Sequence, residues 1–584
     1  MTAAADAGEA AELLAAVPAA SRVALVDPRF IGHVHALRLG LTDPRFAAAA
    51  IPGALTAQPE ARPALLRALR RAVTVVGAGA PAADPGHDGG SPDRTVPGRL
   101  ALALDAEGTA VQHPELGSLT AAVPTAPEER NAARTAVAAV DDEAVRLRSA
   151  VKAHDGFFTT YFISPYSRYI ARWCARRGLT PNQVTTASLI TALIAAGSAA
   201  TGTRGGYVAA GVLLLLSFVL DCTDGQLARY SLQYSTMGAW LDATFDRAKE
   251  YAYYAGLALG AARGGDDVWV LALGAMVLQA CRHVVDFSFN EANHDAVSNT
   301  SPTAALSDKL DSVGWTVWLR RMIVLPIGER WAMIAVLTAV TTPRIVFYAL
   351  LVGCTLAACY TTAGRLLRSL TRKARRTDRA ARALADLADS GPLAQAVAAV
   401  LRRPGGGFTA PLLAFAAAAL LVATALLTPF GGWPTVGAAA VYAVLSGLAV
   451  SRPLKGALDW LVPPVFRAAE YCTVLVLAAR SDVPHAVPAA FGLVSAVAYH
   501  HYDTVYRIRG GTGAPPRWLV RVIGGHEGRT LVVVLLAAVL THGPDFTTAL
   551  TALAAAVALV VLVESIRFWV SSSAPAVHDE GELA

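Results

Sequence analysis

Apolar residues crowd this chain only after about residue 180, in stretches long enough to cross a bilayer, which takes roughly 20 residues of helix. Such stretches fall at 184–203, 206–222, 238–262, 267–288, 324–342 and 344–364 and predict six membrane helices. Further apolar runs fill residues 409–571. Residues 1–148 are patterned differently. A short run, Val23-Ala24-Leu25-Val26, ends in Asp27-Pro28, helical spacing follows near 61–72, and a second short run ends at Val75-Val76. That alternation predicts a small soluble α/β domain. Pro, Gly, Asp and Ser dominate 81–95, the composition of a surface loop.

Between the soluble part and the first span, residues 149–182 bring Tyr166, Arg168, Arg172, Trp173, Arg176 and Arg177 to helical spacing, as in an amphipathic helix lying at a membrane surface. Thr180-Pro181-Asn182 then opens the first membrane helix, with Pro181 in the first turn where a missing N–H costs little. The expected organisation is a soluble domain at 1–148, an interfacial segment at 149–182, a membrane domain at 183–370 and a cytoplasmic linker with a short helix at 371–408. A second membrane domain follows at 409–571, and an acidic, disordered tail at 572–584. The fold class is therefore an all-α polytopic membrane protein preceded by a small soluble α/β domain.

Composition narrows the function. Of 584 residues 54% are hydrophobic and 16% charged, which suits a multi-span protein with soluble segments and not one globular domain. The net charge of +6 comes from arginines beside the spans, so it reads as membrane orientation and not nucleic-acid binding. Basic residues before span one, around Lys309, Arg320 and Arg321, and from Arg372 to Arg382 place the N-terminus and the near ends of spans two and three in the cytoplasm. The six cysteines include no C-x2-C pair and are expected to be reduced core residues. Met1 to Ala20 lacks the basic and apolar regions of a cleavable signal, so the first span is expected to target the chain. Gly77-Ala78-Gly79 lacks the third glycine of a dinucleotide fingerprint, with Pro81 following instead.

Four acids then stand out inside an apolar stretch. Asp221, Asp224 and Ala228 fall at i, i+3 and i+7 on one helix face, and Gly238, Asp242 and Asp246 repeat every four residues on another. An ionisable group at membrane depth costs several kcal/mol unless it is paired, hydrated or bound to metal. Two facing helices would gather these carboxylates into one metal-sized cluster.

Asp221, Asp224, Gly225, Ala228, Arg229, Gly238, Asp242 and Asp246 together spell D-x2-D-G-x2-A-R-x8-G-x3-D-x3-D. This run resembles the signature of the CDP-alcohol phosphatidyltransferases. The resemblance implies attack by an alcohol hydroxyl on the β-phosphorus of a CDP-linked donor, with CMP expelled, in phospholipid synthesis. It implies Asp221, Asp224, Asp242 and Asp246 as ligands of Mg²⁺ or Mn²⁺, as two ions, and Asp246 as the base for the acceptor hydroxyl. It also implies that Gly225, Ala228, Arg229 and Gly238 join Asp221 and Asp224 around the nucleotide. Arg247, Lys249, Arg282, Lys309, Arg320 and Arg330 could form a basic pocket for a phosphorylated alcohol; the bland reading of Lys309, Arg320 and Arg330 is cytoplasmic anchoring. CDP-diacylglycerol is the first donor to consider, with a CDP-polyol such as CDP-inositol as the alternative. A non-catalytic scaffold or transporter is the reading outside enzymology. The implied location is a bacterial cell membrane, with the site and N-terminal domain on the cytoplasmic side.

Residues 409–571 echo the first unit in order. Arg247-Ala248-Lys249-Glu250-Tyr251 compares with Arg467-Ala468-Ala469-Glu470-Tyr471, His283 and Asp286 with His500 and Asp503, and Gly328-Glu329-Arg330 with residues 525–529. No Asp-x2-Asp-Gly lies between Trp433 and Gly456, and only Asp459 echoes the acids, so this unit is expected to be a degenerate six-helix repeat without metal. Since the resembled enzymes commonly work as homodimers, it is expected to serve as a built-in partner, the alternative being a homodimer of whole chains.

Overall fold

The computed structural model describes residues 2–18, 21–41, 46–77, 95–152, 155–293, 324–371, 376–403, 405–540 and 544–571. Lys309, Arg320, the loop at 81–94, Ala78 and Gly79 of the glycine pair, and the tail at 572–584 lie outside them.

The N-terminal part runs α1 (Ala7–Ala16), β1 (Val23–Val26), β2 (Ile31–Gly32), α2 (Val34–Leu41), β3 (Ala48–Ile51), β4 (Ala54–Ala57), α3 (Arg62–Gly77), α4 (Val96–Ala106), β5 (Val111–Gln112), β6 (Ala121–Ala122), α5 (Pro127–Ala138) and α6 (Asp142–Ser149). Strands order β1-β4-β3-β5, antiparallel except for the β3–β5 pair, and β2 pairs separately with β6. Val75-Val76, expected to close a short run of its own, continues α3 instead. Leu65, Ala68 and Leu69 bury one face of that helix, which packs on α1 and α4.

Next come a π-helical turn at Thr159–Ile163, α7 (Ser164–Arg176), α8 (Pro181–Ala200), α9 (Arg204–Ser231), α10 (Thr236–Arg263), α11 (Trp269–Asn293), α12 (Ile327–Val340) and α13 (Pro343–Thr371). On α7, Tyr166, Tyr169 and Trp173 are exposed while Ser167, Ala171 and Cys174 are buried. Thr180 and Gln183 cap α8 reciprocally, with Pro181 at its first position.

Among the described residues, nine helices are long and apolar enough to cross a membrane. The stretches expected at 238–262 and 324–342 form α10 and α12, but neither is one of the nine. α10 carries Asp242, Asp246, Arg247, Lys249 and Glu250 in its first half, and α12 has only 14 residues. Those charges meet one another inside the protein, so α10 needs no apolar surround there.

Small residues let the helices close up. A Cβ on Gly256 or Gly260 would run into the α8 backbone at Ala196 and Ala199. Ser188 and Ser217 exchange hydrogen bonds across α8 and α9, each hydroxyl donating to the other's carbonyl at 2.8 and 2.9 Å. In this way α8 holds α9 and α10 side by side, α9 also packs on α12, and α11 packs on α13.

The remainder comprises α14 (Asp378–Leu387), α15 (Pro392–Val400), α16 (Thr409–Leu427), α17 (Trp433–Val450), α18 (Val462–Arg480), α19 (Ala486–Arg509), α20 (Arg517–Val522), α21 (Gly525–Val539) and α22 (Asp545–Ser571). The linker thus holds two helices where one was expected. Helix pairing follows the same order as before: α16 with α17 and α18, α17 also with α21, and α19 with α22. α15 packs on α17 as α7 packs on α9. Glu329 accepts a hydrogen bond from the Phe158 N–H at 3.2 Å, near the entry to α7. Glu527 accepts from Gly391 and Ala394, both at 3.0 Å, at the start of α15. α11 packs on α18 and α19, and α10 on α19 and α22, so one continuous apolar core joins the two sets.

Candidate active site

α9 ends at Leu232 in a left-handed conformation (φ 52°), and Ser235 caps α10 by accepting the Gly238 N–H at 2.9 Å. This tight turn sets the ends of α9 and α10 beside the start of α8. Between them lies an open cleft lined by Pro181, Asn182, Thr185, Asp224, Gly225, Ala228, Tyr234, Gly238 and Asp242. The small residues expected around a nucleotide are its wall: a Cβ on Gly238 would stand 2.8 Å from Asn182 Oδ1.

Asp221, Asp242 and Asp246 place carboxylate oxygens within 4.8 Å of one another. Asp224 joins the cleft from α9, and its buried Oδ2 has no hydrogen-bond partner among the described residues. Like charges this close repel strongly, and an unpaired buried carboxylate oxygen costs further. Lys249 offsets part of this, its fully buried ammonium pairing with Asp221 and, at 3.2 Å, with Asp246. An all-oxygen donor set with an orphaned buried oxygen fits a hard divalent cation.

Arg229 donates from Nε to the Ala150 carbonyl at 2.6 Å. Close by, Glu143 on α6 accepts from Tyr230, Arg172 and Arg176, each at 3.3 Å. The motif arginine therefore ties the cleft to the end of the N-terminal part.

One turn beyond the acids, Arg247 donates to Glu250 at 2.7 Å, and Arg330 from α12 meets the same carboxylate at 3.2 Å. Tyr254 adds its hydroxyl at 2.7 Å. Arg247, Arg330 and Glu250 are all buried. Lys249, grouped by spacing with the basic acceptor residues, lies instead among the acids. Arg282 donates to the Val324 carbonyl. Asp286, matched in the sequence with Asp503, pairs with Arg365.

The C-terminal counterpart is built differently. Arg467 donates to Glu470 at 2.6 Å, and Arg529 meets Glu470 at 2.6 Å. Asp389, from the turn between α14 and α15, accepts from Arg529 at 2.8 Å and contacts His500 at 3.1 Å. The 220-residue shift that aligns Arg247 with Arg467 puts Val462 and Phe466 at the places of Asp242 and Asp246. Phe466 stacks on His526 at 4.3 Å. Asp459, the one acid that echoes the motif, accepts the Gly456 N–H at 2.8 Å in a short 3₁₀ turn.

Residue spacing pointed to the acids and to both Arg-x2-Glu pairs but missed Asp389, and also Tyr502 of α19, whose ring centroid lies 4.9 Å from Arg247 Cζ. Asp389 sits in an aperiodic turn far from its partners in sequence. Tyr502 looks like one more aromatic on a buried helix.

Residues 178–343 match the model of the CDP-alcohol phosphatidyltransferase family. Residues 378–584 match a family of unknown function (DUF5941). A phosphatidylinositol phosphate synthase of Streptomyces avermitilis is 33% identical over 131 residues, 22% of this chain and 51% of that protein. An archaetidylinositol phosphate synthase of Pyrococcus horikoshii is 30% identical over 113 residues, 19% of this chain and 58% of that protein. A bifunctional IPC transferase and DIPP synthase of Aquifex aeolicus is 31% identical over 132 residues, 22% of this chain and 29% of that protein. The chain therefore spans between about a third and three fifths of these relatives' lengths.

Proposed function

Residues 178–343 being a CDP-alcohol phosphatidyltransferase domain, we propose that the protein transfers a phosphatidyl group from CDP-diacylglycerol to a phosphorylated alcohol of the inositol phosphate type. The observation that carries the acceptor reading is the pair of buried guanidiniums, Arg247 and Arg330, which share the single carboxylate of Glu250 directly beside Asp246. Such a pair suits a phosphate dianion, which guanidinium binds in a two-pronged geometry. The names of the relatives agree with an inositol phosphate acceptor.

The cleft between α8, α9 and α10 would take the cytidine and its phosphates, with Gly225, Ala228 and Gly238 leaving room for them. Asp221, Asp224, Asp242 and Asp246 would hold Mg²⁺ or Mn²⁺, as two ions. Bound there, divalent cation supplies positive charge that screens the pyrophosphate and stabilises the leaving phosphate. Asp246 accepts the proton of the acceptor hydroxyl as its oxygen bonds the β-phosphorus; the bond from that phosphorus to CMP breaks, and CMP leaves. Lys249 keeps Asp221 and Asp246 together. Arg229 braces the nucleotide end against Ala150.

We place the site and the N-terminal domain on the cytoplasmic side of a bacterial membrane, where CDP-linked donors are made. Residues 409–571 are read as a degenerate repeat that takes the place of a second subunit.

Purified full-length protein with Mg²⁺ should release CMP from CDP-diacylglycerol with inositol phosphate, and far less with inositol. Asp246→Asn should lower that release by about 10³-fold or more, the scale of losing a general base and a metal ligand together. CMP release that requires CDP-inositol would replace the donor; release with inositol alone would remove the phosphate reading; no release with any donor would leave the scaffold reading.

A further inference from the structure

The region that matches a family of unknown function touches a candidate acceptor residue of the transferase domain through one of its side chains. Tyr502, on α19, is buried, and its ring lies under the Arg247 guanidinium with 4.9 Å from Cζ to the centroid. Its hydroxyl makes a 2.9 Å hydrogen bond with Nδ1 of His283 on α11, whose other ring nitrogen meets Gln279 at 3.2 Å. A single residue from the C-terminal half thus touches two helices of the transferase domain.

A second contact lies about two turns away on α10. Trp569 of α22 stacks on Trp240, with centroids 6.1 Å apart and planes 18° from parallel. Trp569 is itself held, its indole N–H donating to Asp503 at 2.6 Å, and Asp503 also accepts from Ser565 and pairs with Arg507. The stretch from Trp240 to Arg247 contains Asp242 and Asp246, and the C-terminal half grips it at both ends.

The grip matters most for Arg247. An arginine loses much rotamer freedom when fixed, and a site pays less to bind when that loss has already occurred. Glu250 fixes one nitrogen at 2.7 Å, while Nε of Arg247 is buried without a hydrogen-bond partner among the described residues. The aromatic face of Tyr502 attracts the cation without using its donors. Arg247 is thereby held in place with hydrogen-bonding capacity left over.

We infer that Tyr502 is a positioning residue: the C-terminal region of unknown function orients Arg247 for the anionic group of the acceptor. This rests on the reading of Arg247 as an acceptor residue. Loss of the ring would remove one of the two contacts that hold the guanidinium and leave it to Glu250.

The test is steady-state kinetics of full-length protein in nanodiscs, varying donor and acceptor separately. Tyr502→Ala should raise the acceptor KM about tenfold, the effect of losing a desolvated cation–π contact. Donor KM and kcat should stay within about twofold of wild type. Tyr502→Phe keeps the ring and should restore most of the acceptor KM. In an Arg247→Ala background, Tyr502→Ala should add nothing further, since the residue acts through that arginine. If Tyr502→Ala does not fold, Tyr502→Leu, which fills the space without the ring's negative face, should show the same raised acceptor KM.

An unchanged acceptor KM in Tyr502→Ala or Tyr502→Leu, alongside a raised one in Arg247→Ala, overturns the inference and leaves the acceptor reading intact. A proportional loss of kcat with both KM values unchanged shows a merely structural role and also overturns it. An unchanged acceptor KM in Arg247→Ala removes the acceptor reading itself.

Discussion

The two buried clusters built on Arg-x2-Glu share a plan and end with different charge. In the transferase domain, Arg247 and Arg330 converge on one carboxylate, Glu250. In the C-terminal half, Arg467 and Arg529 converge on Glu470 and are also met by Asp389, at 3.6 and 2.8 Å. Among the groups bonded to one another, the first cluster keeps one positive charge in excess and the second is neutral. Beside the first stand three carboxylates close enough to share a cation; at the corresponding places of the second stand Val462 and Phe466, with Phe466 packed on His526. The difference teaches that similarly paired helices can carry different polar centres: one leaves a guanidinium in excess beside a group of acids, and the other matches its charges within the chain and packs an aromatic ring where those acids would align.

If Asp389 is what neutralises the second cluster, its loss should be the most damaging of the structural changes. Asp389→Ala leaves two buried guanidiniums short of a carboxylate and should cost about 3–5 kcal/mol. Thermal unfolding of the purified protein would show this as a large fall in midpoint; an unchanged midpoint would break the comparison at its base.

A smaller effect should separate the acid cluster from its counterpart. Lys249 pairs with Asp221 and Asp246, whereas Ala469 stands at the matching position of the C-terminal half. Lys249→Met should leave the acids more dependent on divalent cation, so that Mg²⁺ stabilises the variant by roughly 1–3 kcal/mol more than wild type, the scale of a lost charge-assisted hydrogen bond. Melting curves with and without Mg²⁺ measure this without any turnover. Equal Mg²⁺ shifts in the two proteins would show that Lys249 does not balance the cluster.

The smallest change is expected at Asp459. It caps a turn through the Gly456 N–H and lies apart from the acid cluster, so Asp459→Asn should leave CMP release within about twofold of wild type. A collapse of activity comparable to that of Asp246→Asn would mean that the second half takes part in the chemistry.

Much of this plan was legible in the chain. Apolar length marked the membrane helices, and Thr180-Pro181 marked the first of them, because a cap and a proline at the first position act through local backbone groups. The i, i+3 and i+4 spacing of the acids was enough to put them on helix faces. Apolar length served less well for α10 and α12: α12 has only 14 residues, and the charges of α10 find partners in Asp221 and Arg330 from neighbouring helices. Val75-Val76 misled for another reason, since a short apolar run reads alike in a strand and in a helix.

By itself the sequence determined which residues are chemically able to act: the spaced aspartates, the glycines that leave a cleft, the paired Arg-x2-Glu, and the absence of matching acids in the second half. These are properties of residue type and helical repeat, both local. Only the tertiary structure decided which charges meet. Lys249 turned toward Asp221 and Asp246, Glu250 took two arginines, Asp389 crossed from a linker turn to Arg467 and Arg529, and Tyr502 came to lie under Arg247. Buried charge is stable only with a partner close by, and partners separated by tens to hundreds of residues are chosen by how helices pack, which no local pattern records.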